Sequence, residues 1–162
     1  MTPNAAIVGI AESDLGATDK NRFQLQAQAI LGALEDAGLS LSDVDGLATN
    51  GLSRFSVSSM AEYLGIYPTW TDSTFAGGAS YEIFLAHATE AIRSGQCEIV
   101  VISYGSNQRS ARSRQIGGVQ DPDSPEAQYE IPFGPLSPIS MYAMAAQRHM
   151  YEFGTTPEQL AE

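Results

Sequence analysis

Residues 75–110 read FAGGASYEIFLAHATEAIRSGQCEIVVISYGSNQRS, which is a small-residue turn, a helix and a strand in direct succession. Within it, Tyr81, Phe84, Leu85, Ala88 and Ile92 recur at i, i+3, i+4, i+7 and i+11, so one helical face is apolar until Gly95 ends the element. Glu98-Ile99-Val100-Val101-Ile102-Ser103-Tyr104 follows as the most strand-prone run of the chain, rich in branched residues. Ahead of the helix, Ala76, Gly77, Gly78 and Ala79 form a tight turn in which bare backbone can approach a ligand. Turn, helix and branched strand in this order are the repeating unit of a parallel α/β sheet.

The upstream sequence repeats the theme. Pro68-Thr69-Trp70 opens a short extended run to about Phe75, and Gly46-Leu47-Ala48-Thr49-Asn50 reads as a strand followed by a short helix over 57–64. Before that, Asn21 and Gln24 can form a capping pair, and Phe23, Ala27, Ile30 and Leu34 keep helical spacing until Gly38. Ala5-Ala6-Ile7-Val8-Gly9-Ile10 is an apolar run of the kind buried on both faces, and it is expected to be the first, central strand. Strands and helices thus alternate four times, predicting an α/β fold: a mostly parallel sheet with helices on both faces over residues 1–104.

Beyond Gly105 the chain becomes rich in Ser, Gly, Gln, Asp and Pro with little periodicity, the signature of a long functional loop. Ser137-Pro138 then starts a helix that Met141, Met144, Ala145 and Arg148 carry to Gly154. Thr156, Pro157 and Gln159 give complete start signals for one more helix, which Leu160-Ala161-Glu162 are too few to finish. Residues 105–162 are therefore read as a second segment, and the polypeptide is expected to continue past it.

Composition excludes several function classes. The 162 residues carry 19 acids against 8 bases, a net charge of -11, which is no footprint for a phosphate backbone. No apolar run approaches membrane-spanning length, and the first residues lack a basic start, so a cytoplasmic protein is the simplest expectation. A single cysteine, Cys97, rules out an internal disulfide and offers no metal-ligand spacing. Arg109, Arg112 and Arg114 form the one basic cluster: a solvated loop or a seat for phosphate or carboxylate.

The sequence AAIVGIAESDLG at 5–16, the block at 75–110 and the late stretch PFGPLSPISMYAMAAQRHMYEFGTTPEQLAE at 132–162 together resemble the thiolase superfamily. They are most similar to its sterol-carrier-protein-x and lipid-transfer-protein branch, which includes steroid side-chain aldolases. The resemblance covers essentially the whole chain. Members are longer, with two βαβαβαββ halves and a loop insertion in the first. The chain is similar to the first four strands plus the start of that insertion. The last strand of the first half and the catalytic loops of the second half would lie elsewhere, so this segment is expected to be inactive alone.

The resemblance also frames the chemistry. Thiolases attack an acyl thioester with a cysteine in the turn before the third helix, where the helix N-terminus favours the thiolate. Aligning Gly95 with the glycine that ends that helix places the nucleophile position near Gly78, in a turn without a thiol. Cys97, at the other end of the helix, reads as structural. Ser73 and Ser80 flank the turn, but neither has a basic partner at motif spacing and GGASY is not a nucleophile elbow. Two readings remain: an inert homologue, or an aldolase-like member that cleaves a carbon–carbon bond of a β-hydroxyacyl-CoA without an acyl-enzyme. The second suits Gly77, Gly78 and Ala79, whose amides at a helix start can stabilise an oxyanion.

Other candidates are read more plainly. His87 and His149 are expected in packing or surface roles. Tyr104, Tyr129 and Tyr142 are phenols able to move protons. The resemblance implies CoA contacts at Asn107, Arg109, Ser110, Ser140 and Met141, with CoA as a substrate and no separate cofactor or metal. It also implies a homodimer formed through about Trp70 to Ile92, and it leaves room for a small partner subunit. A non-catalytic subunit that stabilises a partner's acyl-CoA site is the competing reading, as is an acyltransferase by family membership alone. A plain nucleotide-binding domain is disfavoured, because no G-x-G-x-x-G or phosphate loop follows the first apolar run.

Overall fold

A computed structural model describes residues 5–112, 122–134 and 138–161 of the chain, which divides into two units at Arg112/Ser113. The break falls a few residues later than the expected one at 104/105, because a one-turn helix after the last strand stays with the first unit. That helix is α4, Gln108–Ala111, and Ser110 Oγ accepts a hydrogen bond from the Thr18 amide (2.8 Å).

The first unit runs α1 (Arg22–Asp36), β1 (Gly46–Ala48), α2 (Ser56–Leu64), β2 (Trp70–Asp72), α3 (Ser80–Arg93), β3 (Val100–Ile102) and α4. Local sequence starts and stops these elements as expected. Asn21 and Gln24 form the capping box of α1. Gly38 and Gly95 take left-handed φ values of 70° and 73° after α1 and α3.

The sheet is fully parallel, in the order β2-β1-β3, with Gly46, Leu47 and Ala48 of the central strand in register with Trp70–Asp72 on one side and Val100–Ile102 on the other. Gly46 is required there: a Cβ would come within 2.7 Å of a Val100 methyl and 3.4 Å of the Trp70 ring. The chain steps from β1 outward to β2, then back across to β3. Right-handed crossovers in opposite directions put α2 and α3 on opposite faces. α1 joins α2, with the Phe23 and Tyr63 rings 5.5 Å apart.

The main core lies under α1 and α2, where Ile30, Leu34, Leu47, Leu52, Val57, Met60 and Ile66 are buried together. Each such side chain stabilises the fold by about 1.5–3 kcal/mol. On the other face Phe84, Ala88 and Ala91 seal α3 against the sheet.

One expectation is corrected. Residues 5–10 are not a buried central strand: the segment lies outside the sheet, and Ile7, Val8 and Ile10 are 70%, 62% and 75% exposed. Strand composition was read correctly, but a strand also needs a bonded neighbour, and β3 lies across a gap.

The second unit is described by itself. It holds the short α5 (Pro125–Tyr129), a 3-10 turn at Ile131–Phe133, α6 (Pro138–Phe153) and α7 (Pro157–Ala161). Gly154 ends α6 at φ 68°, and Thr156 and Gln159 exchange the capping contacts of α7. Ser137 and Arg114 lie outside the described residues. No described helix is long and apolar enough to cross a membrane.

Candidate functional site at the carboxyl edge of the sheet

Parallel strands end together, and ligands of open α/β sheets bind beyond those ends, where the strand order reverses. Here the reversal lies between β1 and β3. The residues that follow them, Thr49 and Asn50 on one side and Ser103 and Tyr104 on the other, form the centre of the edge.

Asn50 ties three elements at this point. Its amide donates to Thr74 O (2.9 Å) after β2, and its Oδ1 accepts the Tyr81 hydroxyl (3.0 Å) from α3. Tyr81 in turn meets Phe84 and Tyr104 edge to face, at 5.6 Å and 5.5 Å between centroids. Burial, with Tyr104 beside it, pushes the Tyr81 phenol up to about 12. Tyr81 therefore stays a neutral donor to Asn50, while Tyr104 is 58% exposed at the edge. Sequence reading counted Tyr81 as helix packing and Asn50 as strand. Only the position of Asn50 just past the end of β1 signals otherwise.

Beneath them is a buried polar layer. Gln26 Nε2 donates to Thr49 Oγ1 and Ser103 Oγ (2.6 Å each), and Thr49 Oγ1 donates to Ser103 O (2.9 Å). Gln26 Oε1 is buried without a partner among the described residues. Gly105 lets α1 approach this layer, since a Cβ there would fall 2.6 Å from Arg22 O.

The turn before α3 is closed by Ser80, fully buried, whose Oγ accepts the Ala76 amide and donates to Gly77 O (2.8 Å each). Ser80 is thus a structural cap rather than a nucleophile. Gly77 needs to be glycine, with φ at 61°. Gly78 does not: its φ lies outside the left-handed region and nothing stands within 4 Å of where a Cβ would project. Neither backbone nor packing among the described residues demands a bare residue at Gly78. Cys97 is 4% exposed at the far edge of the sheet, and burial together with Asp45 raises its thiol pKa.

His87 stands exposed on α3. Its Nδ1 lies 2.6 Å from Asp72 Oδ2, a carboxylate from β2 that spacing along the helix could not reveal. An ionised carboxylate only accepts, so Nδ1 carries the proton. Burial opposes the Asp72 charge, but hydrogen bonds from His87 and Thr74 outweigh it and hold the carboxyl below its ordinary range. His149 meets Thr155 Oγ1 (3.0 Å) and the Phe153 ring instead.

Lys20, Arg22, Arg54, Arg109 and Arg112 stand on the loops and helix starts of the carboxyl edge, together with the acids Asp14, Asp19, Asp72 and Glu82, and Lys20 is paired with Asp14. Glu35, Asp36, Asp43, Asp45, Glu62, Glu90 and Glu98 crowd the opposite edge with Arg93 as their basic companion. Of the CoA candidates, Asn107, Arg109 and Ser110 belong to the carboxyl edge. Ser140 and Met141 lie on α6, as does Tyr142, while Tyr129 is on α5, all in the other unit. Among the described residues no cluster of His, Cys, Asp or Glu could hold a metal ion.

No family model matches the chain. It is 32% identical, over 96% of its length, to 17-hydroxy-3-oxo-4-pregnene-20-carboxyl-CoA lyase of Mycobacterium tuberculosis, 42% of which is covered. It is 31% identical, over 98% of its length, to acetyl-CoA acetyltransferase of Methanothermobacter thermautotrophicus, again covering 42% of that protein. Among solved structures, the Ltp2-ChsH2(DUF35) aldolase superposes with a TM-score of 0.78 at 32% identity, over 96% of this chain and 40% of the other. The chain spans about two fifths of the length of the relatives it matches.

Proposed function

Because the chain belongs to the thiolase superfamily, in its sterol-carrier-protein-x and lipid-transfer branch, and matches the N-terminal portion of such proteins, we propose that it forms part of an aldolase-like acyl-CoA lyase. The carrying observation is the turn at 76–79: it stands at the start of α3, where the resemblance expects the nucleophile, and nothing lies within 4 Å of where a Cβ on Gly78 would project. A retro-aldol cleavage needs no thiol. A base takes the proton of the β-hydroxyl, the Cα–Cβ bond breaks to release a ketone or aldehyde, and the acyl-CoA enolate is reprotonated. The bond electrons pass to the thioester oxygen, and the backbone amides of Gly77, Gly78 and Ala79 at the start of α3 are suited to stabilise it. An absent side chain also makes room for a bulky acyl group.

Electrostatics favour the same edge for CoA, since five of the eight basic residues of a strongly acidic protein stand there, with Arg109 and Arg112 nearest the end of β3. Tyr104 is the edge phenol exposed to a ligand, whereas that of Tyr81 is engaged with Asn50. CoA enters as substrate in this reading, in the cytoplasm. The chain acts within a longer protein or assembly, as a homodimer through about Trp70 to Ile92 or with a small partner subunit. The pairing named in the Ltp2-ChsH2(DUF35) aldolase and the open edge of β2 in the described sheet support those partners.

The test is to incubate the protein, expressed to its natural stop codon, with a β-hydroxyacyl-CoA and to follow ketone or aldehyde release. Cleavage of a β-ketoacyl-CoA by free CoA, without aldol cleavage, would support the acyltransferase reading suggested by the 31% identical acetyltransferase. No turnover of either substrate, with CoA still bound, would favour a non-catalytic subunit.

A further inference from the structure

Gln26 is a wholly buried amide on α1, and its side chain lies where the sheet meets the candidate site. On the reading that this edge is the reaction site, we propose that Gln26 is a positioning residue. Through Thr49 and Ser103 it fixes the Tyr104 phenol against the start of α3.

The orientation of the amide follows from its protons. Thr49 Oγ1 gives its one proton to Ser103 O (2.9 Å), so toward Gln26 it can only accept. The Gln26 atom 2.6 Å away is therefore the amide nitrogen, whose other proton goes to Ser103 Oγ, also at 2.6 Å. One side chain thus holds the residues that follow β1 and β3 at once. Backbone bonds end the strands at the same level: the Ser103 amide donates to Ala48 O (3.2 Å) and the Thr49 amide to Asp72 O (3.1 Å).

Strand side chains alternate between the two faces of a sheet. Thr49 and Ser103 turn their hydroxyls to α1, so Asn50 and Tyr104, one residue on, point to the face covered by α3. Both meet Tyr81 there, Asn50 through its bond to the phenol (3.0 Å) and Tyr104 ring to ring (5.5 Å). Tyr81 is the second residue of α3, directly after the 76–79 turn. On the other flank of Tyr104, a Cβ on Gly105 would lie 2.6 Å from Arg22 O and 2.8 Å from Gln26 Cβ. Both chain neighbours of Tyr104 are therefore held by α1, one by the Gln26 amide and one by close packing on it.

Packing alone does not select an amide at this position. Leucine has a similar volume and would fill the site without burying polar atoms, whereas Gln26 Oε1 is buried with no partner among the described residues. An unpaired buried acceptor lowers stability. What the amide gives in return is a fixed separation of two strand ends, and displacement by about 1 Å at a reacting centre can cost about a hundredfold in rate.

The test uses the protein expressed to its natural stop codon and labelled with 3-fluorotyrosine, the Tyr104 fluorine resonance being assigned by its loss in Tyr104→Phe. Gln26→Leu is expected to shift that resonance and to lower kcat for retro-aldol cleavage about tenfold, with KM changed less than about twofold. Added to Tyr104→Phe, it is expected to bring no further loss. An unchanged resonance in folded Gln26→Leu overturns the proposal, as does a loss of rate that simply adds to that of Tyr104→Phe. If Gln26→Leu does not fold, Ser103→Ala removes one partner of the amide and is read in the same way. A parent protein without lyase turnover defeats the aldolase reading, and the fluorine resonance then still decides whether Gln26 positions Tyr104.

Discussion

His87 Nδ1 lies 2.6 Å from Asp72 Oδ2, joining the middle of α3 to the last residue of the edge strand β2. The pair bridges about fifteen residues of sequence and one helix–sheet interface, and it sets a pH dependence. The Asp72 carboxyl is lowered in the folded chain, so its contribution to stability is complete above the ordinary carboxylate range and is lost as pH falls through the folded value. Asp72→Asn is expected to cost about 1 kcal/mol at neutral pH, the partner imidazole being half exposed, and to flatten the loss of Tm between about pH 5 and pH 3. Thermal melts by circular dichroism across that range check it; an unchanged slope counts against the pair.

Tyr81 should be the late phenol of the first unit. An alkaline absorbance titration is expected to show one tyrosine ionising near pH 12, and Tyr81→Phe to remove that phase. The same substitution leaves Asn50 Oδ1 without its donor and is expected to lower stability by about 1 kcal/mol.

The two central glycines of the turn should part company on substitution. Gly77→Ala forces a side chain into a left-handed conformation and is expected to cost about 1–2 kcal/mol, whereas Gly78→Ala should be near neutral. Urea melts of the two variants distinguish them.

Gly78→Cys carries that difference into chemistry. Its thiol would sit exposed at the start of the 14-residue α3, where the helix N-terminus favours thiolate, while Cys97 is buried with its thiol pKa raised. The variant is expected to take up one equivalent of iodoacetamide well before the parent chain reacts. Equal rates would mean that the turn does not activate a thiol.

Gly9→Ala tests the seat of the first segment. Only 2.1 Å separates the new Cβ from Ala33 O, a backbone atom that cannot swing aside, so the segment must lift off α1 at a cost of about 1–3 kcal/mol. Faster amide exchange at Ile10 is the expected readout, through loss of its bond to Asp36.

Much of the unit was legible in one dimension. The α1 capping box, the glycine stops after α1 and α3 and the branched run at β3 are local, settled within a few residues by backbone sterics and hydrogen bonding. The His87–Asp72 pair and the Asn50–Tyr81 clamp were not legible, because each joins residues from different elements whose approach depends on how the sheet is ordered.

Residues 5–10 mark the boundary most sharply. Their apolar, branched sequence determined by itself an extended conformation wanting cover on both sides. Only the tertiary structure decided that the segment lies along α1, across a slot from β3. The reason is physical: backbone propensity is a property of the residues alone, whereas membership of a sheet is a pairwise matter of hydrogen bonds. The neighbour that would complete those bonds is not encoded in the run itself.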